Sequence, residues 1–171
     1  ILWEKGTNRA AFFRGEVDKY GWVDIGSSFL PSEIIAAFLY AQLEHLEQIQ
    51  QKRRDIWNYY NDKLGQWASE NDIDLPFIPD FATNNGHLFY MVCKNLEQRT
   101  QIVEKLKTNG ILSVFHYLSL HQSQFYRNKH TGSDLPQSNR YSDCLLRLPL
   151  FFELSTSDIT RVCDVLKSAL I

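Results

Sequence analysis

The residues best suited to chemistry cluster near the start of this chain. Gly26-Ser27-Ser28 stands just ahead of Phe29-Leu30-Pro31-Ser32-Glu33, which runs into a long apolar-periodic segment. Gly26 permits backbone geometry that a Cβ resists. Ser27 and Ser28 bring two hydroxyls to what the pattern predicts is a helix start, with Pro31 in the first turn, where its missing N–H costs nothing. Orphan N–H groups and the helix dipole there favour an anion; a capped helix start is the plainer reading. Arg9, Arg14 and Tyr20 precede this loop. Arginine suits bidentate phosphate contact, and ordinary surface pairing would use the same residues. His87, His116 and His121 fall on or beside expected strands. A neutral imidazole can bond hydroxyls or phosphate, or serve as a satisfied structural residue. His116-Tyr117 followed by Leu120-His121 is the denser pair, while His45 and His130 read as surface residues. No His, Cys or carboxylate set has metal-ligand spacing.

Elements that must position these groups follow from periodicity. Residues 1–30 have little of it and read as an extended, loop-like arm carrying Phe12, Phe13, Tyr20 and Trp22. Four such aromatics call for a cover, with a partner subunit as one candidate. From Pro31 to about Ala68, apolar residues recur every three or four positions. One continuous helix of that span would run roughly 55 Å at about 1.5 Å per residue. It must therefore span two domains or bend, with the polar stretch Gln48–Arg54 as the expected bend. Lys52-Arg53-Arg54 reads as a solvated face.

Beyond Pro76 and Pro79, His87–Lys94 predicts a buried strand. Glu97–Thr108 predicts an amphipathic helix stopped at Asn109-Gly110, and Ile111–Tyr117 a second strand. Gln122–Pro136 reads as a loop with one short helical turn. Asn139–Leu146 predicts a helix and Arg147–Leu150 a short edge strand. Ser155-Thr156-Ser157-Asp158 opens the last helix with a box-like cap. The alternation implies a compact α/β unit, a small sheet packed with helices.

The bulk numbers narrow the function classes. A chain of 171 residues can bury one sizeable core. Its net charge of −2 argues against general nucleic-acid affinity. No apolar run approaches the ~20 residues of a membrane span. Cys93, Cys144 and Cys163 are widely spaced among apolar neighbours and read as buried reduced thiols, consistent with a cytoplasmic setting.

Several words, taken in order, resemble one family: Glu4-Lys5-Gly6-Thr7-Asn8-Arg9, Phe12-Phe13-Arg14-Gly15-Glu16-Val17-Asp18-Lys19-Tyr20, the Gly-Ser-Ser loop, Gly86-His87-Leu88-Phe89-Tyr90, Val114-Phe115-His116-Tyr117, Leu120-His121 and Leu146-Arg147-Leu148-Pro149-Leu150-Phe151. The chain resembles the fold type I sugar aminotransferases that use pyridoxal phosphate, the DegT/DnrJ/EryC family, along essentially its whole length. The resemblance implies the C-terminal small α/β domain of such an enzyme. Residues 1–30 would be an active-site and dimer arm of the large domain, 31–68 a long or bent inter-domain helix, and 69–171 the small domain. Family members are roughly twice this length, and the lysine that forms the Schiff base lies upstream of the matched region. The opening Ile1-Leu2-Trp3, with no initiator Met, agrees with a truncated chain. None of its nine lysines (Lys5, Lys19, Lys52, Lys63, Lys94, Lys105, Lys107, Lys129 and Lys167) stands in the family's Ser-x-x-Lys context. The part in hand is therefore expected to be inactive alone.

The same resemblance assigns roles. Ser28 occupies the place where many relatives carry an Asn that reaches the partner's cofactor phosphate, with Ser27 beside it. Leu30 stands where many carry Arg, which puts a phosphate contact there in doubt. His116, His121, His87, Tyr20, Arg14 and Arg9 become candidates for a nucleotide-linked 4-keto-6-deoxyhexose. Glutamate is the implied amino donor, a homodimer the implied assembly, and surface polysaccharide the implied product. Two alternatives remain open: a pyridoxamine-dependent sugar dehydratase of the same family, with His replacing the upstream lysine, and a non-catalytic sugar-nucleotide binding module.

Overall fold

A computed structural model describes residues 3–115 and 117–170. They fall into two compact units, Ile1–Leu46 and Glu47–Ile171.

The first unit is a clasp in which residues 3–8 face residues 20–29. Gly6 accepts from Val23 N at 2.8 Å and Asp24 N at 3.0 Å, and Asn8 Oδ1 accepts from Gly21 N at 2.8 Å. Isolated antiparallel bridges join Glu4 to Ser28 and Thr7 to Trp22. Gly6 has φ +77°, and a Cβ there would stand 1.7 Å from Asp24 O, so the close approach admits only glycine. The arm is not wholly extended, since α1 (Arg9–Phe13) forms within it. The local cause is Asn8, whose carbonyl accepts from Ala11 N and Phe12 N and closes the first turn.

The helix expected over 31–68 is two helices, α2 (Glu33–Leu43) and α3 (Leu46–Glu70). The interruption lies at Glu44-His45, where His45 N bonds Gln42 O in a tightened i→i−3 turn. Gln48–Arg54, the expected bend, is unbroken helix. Its polar side chains link along the helix face, Gln51 to Asp55 at 2.7 Å and Arg54 to Gln51 at 2.9 Å. Pro31 is not in the first turn of α2. Ser32 is the N-cap, its hydroxyl accepting from Ile35 N at 3.3 Å, and Pro31 precedes it.

In the second unit β1 (Phe89–Val92) pairs antiparallel with β2 (Leu145–Leu148). β1 begins two residues later than periodicity predicts. Asn84 Oδ1 captures Gly86 N at 2.9 Å and Asn85 Oδ1 captures His87 N at 3.2 Å, so side chains take the backbone donors a ladder would use. The strand expected over Ile111–Tyr117 reduces, among the described residues, to one bridge. Val114 and Arg147 exchange backbone bonds of 2.8 and 3.3 Å, while Leu112 and Phe115 stay exposed and add no packing to extend the pairing. α5 (Pro136–Cys144) starts three residues early, with Pro136 in its first turn, and β2 follows it directly. β2 ends before Pro149, which lacks a ladder donor and whose carbonyl accepts from Tyr60 Oη at 2.9 Å.

α4 (Leu96–Thr108) ends as expected at Asn109-Gly110. Gly110 N bonds Lys107 O and Ile111 N bonds Leu106 O, a Schellman pattern with Gly110 at φ +68°. α6 (Thr156–Lys167) carries the expected capping box between Ser155 and Asp158.

The core joins Ile56, Tyr60 and Leu64 of α3 to Phe89, Met91, Ile102, Leu106, Leu146 and Leu166. Phe89 packs 5.4 Å from the Trp57 ring and 5.2 Å from the Tyr60 ring. All three cysteines are free and buried. Burial pushes the Cys93 thiol up to about 12 and the Cys163 thiol up to about 11, and raises Cys144 as well. Thiolate is the reactive form. Native protein at pH 8 should therefore resist Ellman's reagent, whereas denatured protein should release three equivalents. Rapid native reaction of any one thiol would contradict this burial.

Candidate functional site

The clasp of the first unit encloses a cavity of about 250 Å³ lined by Glu4, Lys5, Thr7, Arg9, Tyr20 and Leu30. Two of the residues singled out from sequence, Arg9 and Tyr20, thus meet in one place. The Arg9 guanidinium sits 5.0 Å from the Phe13 ring centre, one turn along α1, and Tyr20 packs 5.6 Å from Phe12. The Trp22 indole N–H donates to Lys5 O and helps hold the wall. Arg14 is elsewhere engaged. Its Nε and a terminal nitrogen clamp Glu16 at 2.6 and 2.9 Å, which raises Arg14 and lowers Glu16 from their ordinary ranges. Arg14 does not line the cavity.

Ser27 and Ser28 are exposed. Their backbone is tied down, with Lys5 N donating to Ser27 O at 3.3 Å and Ser28 bridged to Glu4. Among the described residues neither hydroxyl has a hydrogen bond, so a ligand would meet no competing partner. Ser32 caps α2, and the capping role considered for Ser28 is already filled.

The second unit holds a polar cavity of about 500 Å³ lined by Gln50, Arg54, Thr83, Asn84, Asn85 and His87. Asn85 Oδ1 lies 2.9 Å from His87 Nδ1 and orients the ring. Gly86, at φ +61°, presses on α3; a Cβ there would stand 2.8 Å from Arg53 C and O. Lys52, Arg53 and Arg54 are accordingly half-buried and not the solvated face the sequence suggests. Sequence reasoning used His87 but passed over its neighbours. Asn84-Asn85-Gly86, two side-chain acceptors before a residue free to take positive φ, was the available signal.

His121 belongs to a third cluster. Its side chain is 9% exposed, and Nε2 lies 3.9 Å from Asp134 Oδ1. The His130 ring is 5.3 Å away, and Nδ2 of Asn139 donates to Asp134 at 3.0 Å. His130, read from sequence as a surface residue, is half-buried and lies within hydrogen-bond distance of Ser133 O, 3.0 Å from Nε2. His116 lies outside the described residues. The candidates His87 and His121 therefore sit in separate clusters, apart from any shared pocket.

The nine lysines allow a test of the cofactor. A Schiff-base amine is activated by desolvation in an apolar pocket or by a nearby cation. All nine are exposed or half-buried. Lys94 is paired with Asp72 at 2.8 Å, which raises its pKa and opposes nucleophilicity. Ser27 and Ser28 thus offer exposed hydroxyls of the kind that can donate to a phosphate, and none of the nine lysines is buried in an apolar pocket.

Residues 2–167 match the DegT/DnrJ/EryC1/StrS aminotransferase family. Among solved structures, an aminotransferase of that description from Brucella abortus is 27% identical, with a TM-score of 0.74, over 94% of this chain and 42% of its own. DesV from S. venezuelae is 25% identical, with a TM-score of 0.78, over 88% and 40%. Spr1654 from Streptococcus pneumoniae, described as a sugar aminotransferase and solved with PLP and with PMP, is similar in fold. Its PLP form has 22% identity and a TM-score of 0.77, over 99% and 41%. The chain spans about two fifths of the length of these structures.

Proposed function

We propose, since this chain belongs to the DegT/DnrJ/EryC1/StrS aminotransferase family, that it is the C-terminal part of a pyridoxal-phosphate sugar aminotransferase. The family match over residues 2–167 carries this reading. Its support includes the mixed fold and the two fifths of each related chain that it covers. The order of sequence words favours a nucleotide-linked 4-keto-6-deoxyhexose as acceptor. A TDP-4-oxo-6-deoxyglucose transaminase, with glutamate as donor and TDP-4-amino-4,6-dideoxygalactose as product for surface polysaccharide, is the reading we adopt. Among the described residues no helix is long and apolar enough to cross a membrane, and a cytoplasmic enzyme is part of the proposal.

In this reading Ser28, seconded by Ser27, donates to the cofactor phosphate of the partner subunit in a homodimer. Arg9 and Tyr20, which line the clasp cavity, are the first unit's candidates for the sugar nucleotide, and His87, His116 and His121 are separate candidates in the second; Arg14 retains its Glu16 clamp until a phosphate competes for it. When bound, pyridoxal phosphate supplies the electron sink that lets an amino group move from donor to ketone. The Schiff-base amine comes from outside these 171 residues. Apolar surface in the first unit is consistent with burial in a larger assembly: no residue of α2 is buried, and Ile34 and Phe38 are 83% and 71% exposed.

The test has two arms. The intact gene product, given glutamate and TDP-4-oxo-6-deoxyglucose, should form 2-oxoglutarate and the TDP-linked amino sugar in equal amounts. These 171 residues alone, treated with pyridoxal phosphate and borohydride, should show only scattered lysine adducts. A stoichiometric adduct on one lysine here would overturn the placement of the amine, and absence of amino-sugar product would overturn the substrate.

A further inference from the structure

The second unit contains another cavity of about 500 Å³, between the segment following α4, the end of β2 and the start of α6. None of the residues assigned above to cofactor or substrate lines it. Ile111, Leu148, Leu154 and Val162 form apolar walls and are themselves 3–5% exposed; Phe151 stands half-exposed at the rim. Against these walls lies Arg147, whose Nε is buried with no hydrogen-bond partner among the described residues. A guanidinium donor removed from water and left without an acceptor is costly. Its backbone is held in place, because Arg147 exchanges both of its backbone hydrogen bonds with Val114, at 2.8 and 3.3 Å, and stands opposite Tyr90 in the β1–β2 register.

Two further charges line the cavity, Arg161 and Asp158. The Arg161 guanidinium donates to Asn109 O at the end of α4. Asp158 is committed to the Ser155 capping box, and those hydrogen bonds hold its carboxyl below the ordinary carboxylate range. It is ionised at neutral pH and offsets one of the two arginines. The cavity therefore carries one net positive charge, with the unsatisfied donor on Arg147 set among apolar walls. Its volume falls within the range of small-molecule sites.

We propose that this cavity binds a small amphipathic anion, a carboxylate or phosphate on an apolar body, with the headgroup on Arg147 and the body against Ile111, Leu148 and Val162. A headgroup oxygen meets the terminal guanidinium nitrogens of Arg147, which have no hydrogen bond among the described residues, in a charge-assisted bond, while the buried Nε stays behind them. The walls remove the apolar body from water.

Octanoate, octyl phosphate and octanol, titrated into the intact protein by calorimetry, separate the contributions. At least one anion should bind about tenfold or more tightly than octanol, as expected for a charge-assisted hydrogen bond. The tighter of the two identifies the headgroup. Arg147→Met, which keeps the stem and removes the charge, should abolish that preference and leave octanol binding unchanged. A photoreactive diazirine analogue of octanoate on the unaltered protein gives a second measurement, independent of whether the variant folds. Its label should fall on peptides containing Leu112 or Phe151. Equal binding of all three probes, no binding, an unchanged anion preference in Arg147→Met, or labelling elsewhere would each overturn the site.

Discussion

Replacing Gly86 with alanine is expected to destabilise the second unit by about 2–5 kcal/mol, combining a strained left-handed backbone with overpacking. Gly86 has φ +61° and is buried against α3, where a new Cβ would meet Arg53 C and O at 2.8 Å. Those atoms are helix backbone and cannot rotate away as a side-chain tip would. Either α3 shifts or the Asn84–His87 turn lifts off it. Lifting breaks the Asn84–Gly86 bond and opens the cavity that contains His87. For a chain of this size the melting temperature should fall by roughly 5–15 °C. Gly65→Ala is the matched control. Gly65 lies in α3 with nothing within 4 Å of an added Cβ, so alanine there should stabilise by about 0.5–1 kcal/mol. If both variants melted with the parent, the close approach of Gly86 to α3 would be wrong.

Parts of the fold that rest on short-range chemistry were legible in the sequence. The Asn109-Gly110 stop and the Ser155–Asp158 box work through neighbours within five residues, and both occur where the residue types place them. The core stripe of α3 was equally legible, because Ile56, Tyr60 and Leu64 share one helix face. Features decided by competition were not. Periodicity runs through Glu44-His45 without a proline or glycine, so nothing in the residue types marks the turn that separates α2 from α3. The start of β1 was lost to Asn84 and Asn85, whose side chains outbid the ladder for two backbone donors. The apparent strand at 111–117 failed because alternation alone does not supply a partner: Val114 finds one and Leu112 does not.

For the candidate site, Arg9 and Tyr20 could be named from sequence. Their company of Glu4, Lys5 and Thr7 depends on a clasp closed by Gly6, a tertiary fact that spacing does not encode. His130 looked like surface for a similar reason, since its partner ring, His121, approaches only once the loop folds.

Ser28→Ala in the intact protein should weaken pyridoxal phosphate retention several-fold to hundredfold and leave the melting curve in place. The size follows from one lost hydrogen bond, about 0.5–1.5 kcal/mol if neutral and up to about 3 where phosphate charge assists it. The absence of a melting shift follows from the structure. Ser28 is exposed, its hydroxyl has no hydrogen bond among the described residues, and its bridge to Glu4 uses backbone that alanine retains. Ser32→Ala should do the reverse. Ser32 supplies the N-cap bond to Ile35 N, and losing such a cap costs roughly 0.5–2 kcal/mol. That variant should melt earlier and hold the cofactor nearly as well, because its hydroxyl is turned to the helix and not offered to a ligand. The two serines are four residues apart on one segment and so control for each other. Cofactor titration and thermal melts of parent, Ser28→Ala and Ser32→Ala decide the matter. Unchanged affinity in Ser28→Ala would remove Ser28 from the phosphate site. Equal melting losses in both variants would mean that the loop is held as a unit and that Ser28 acts through structure alone.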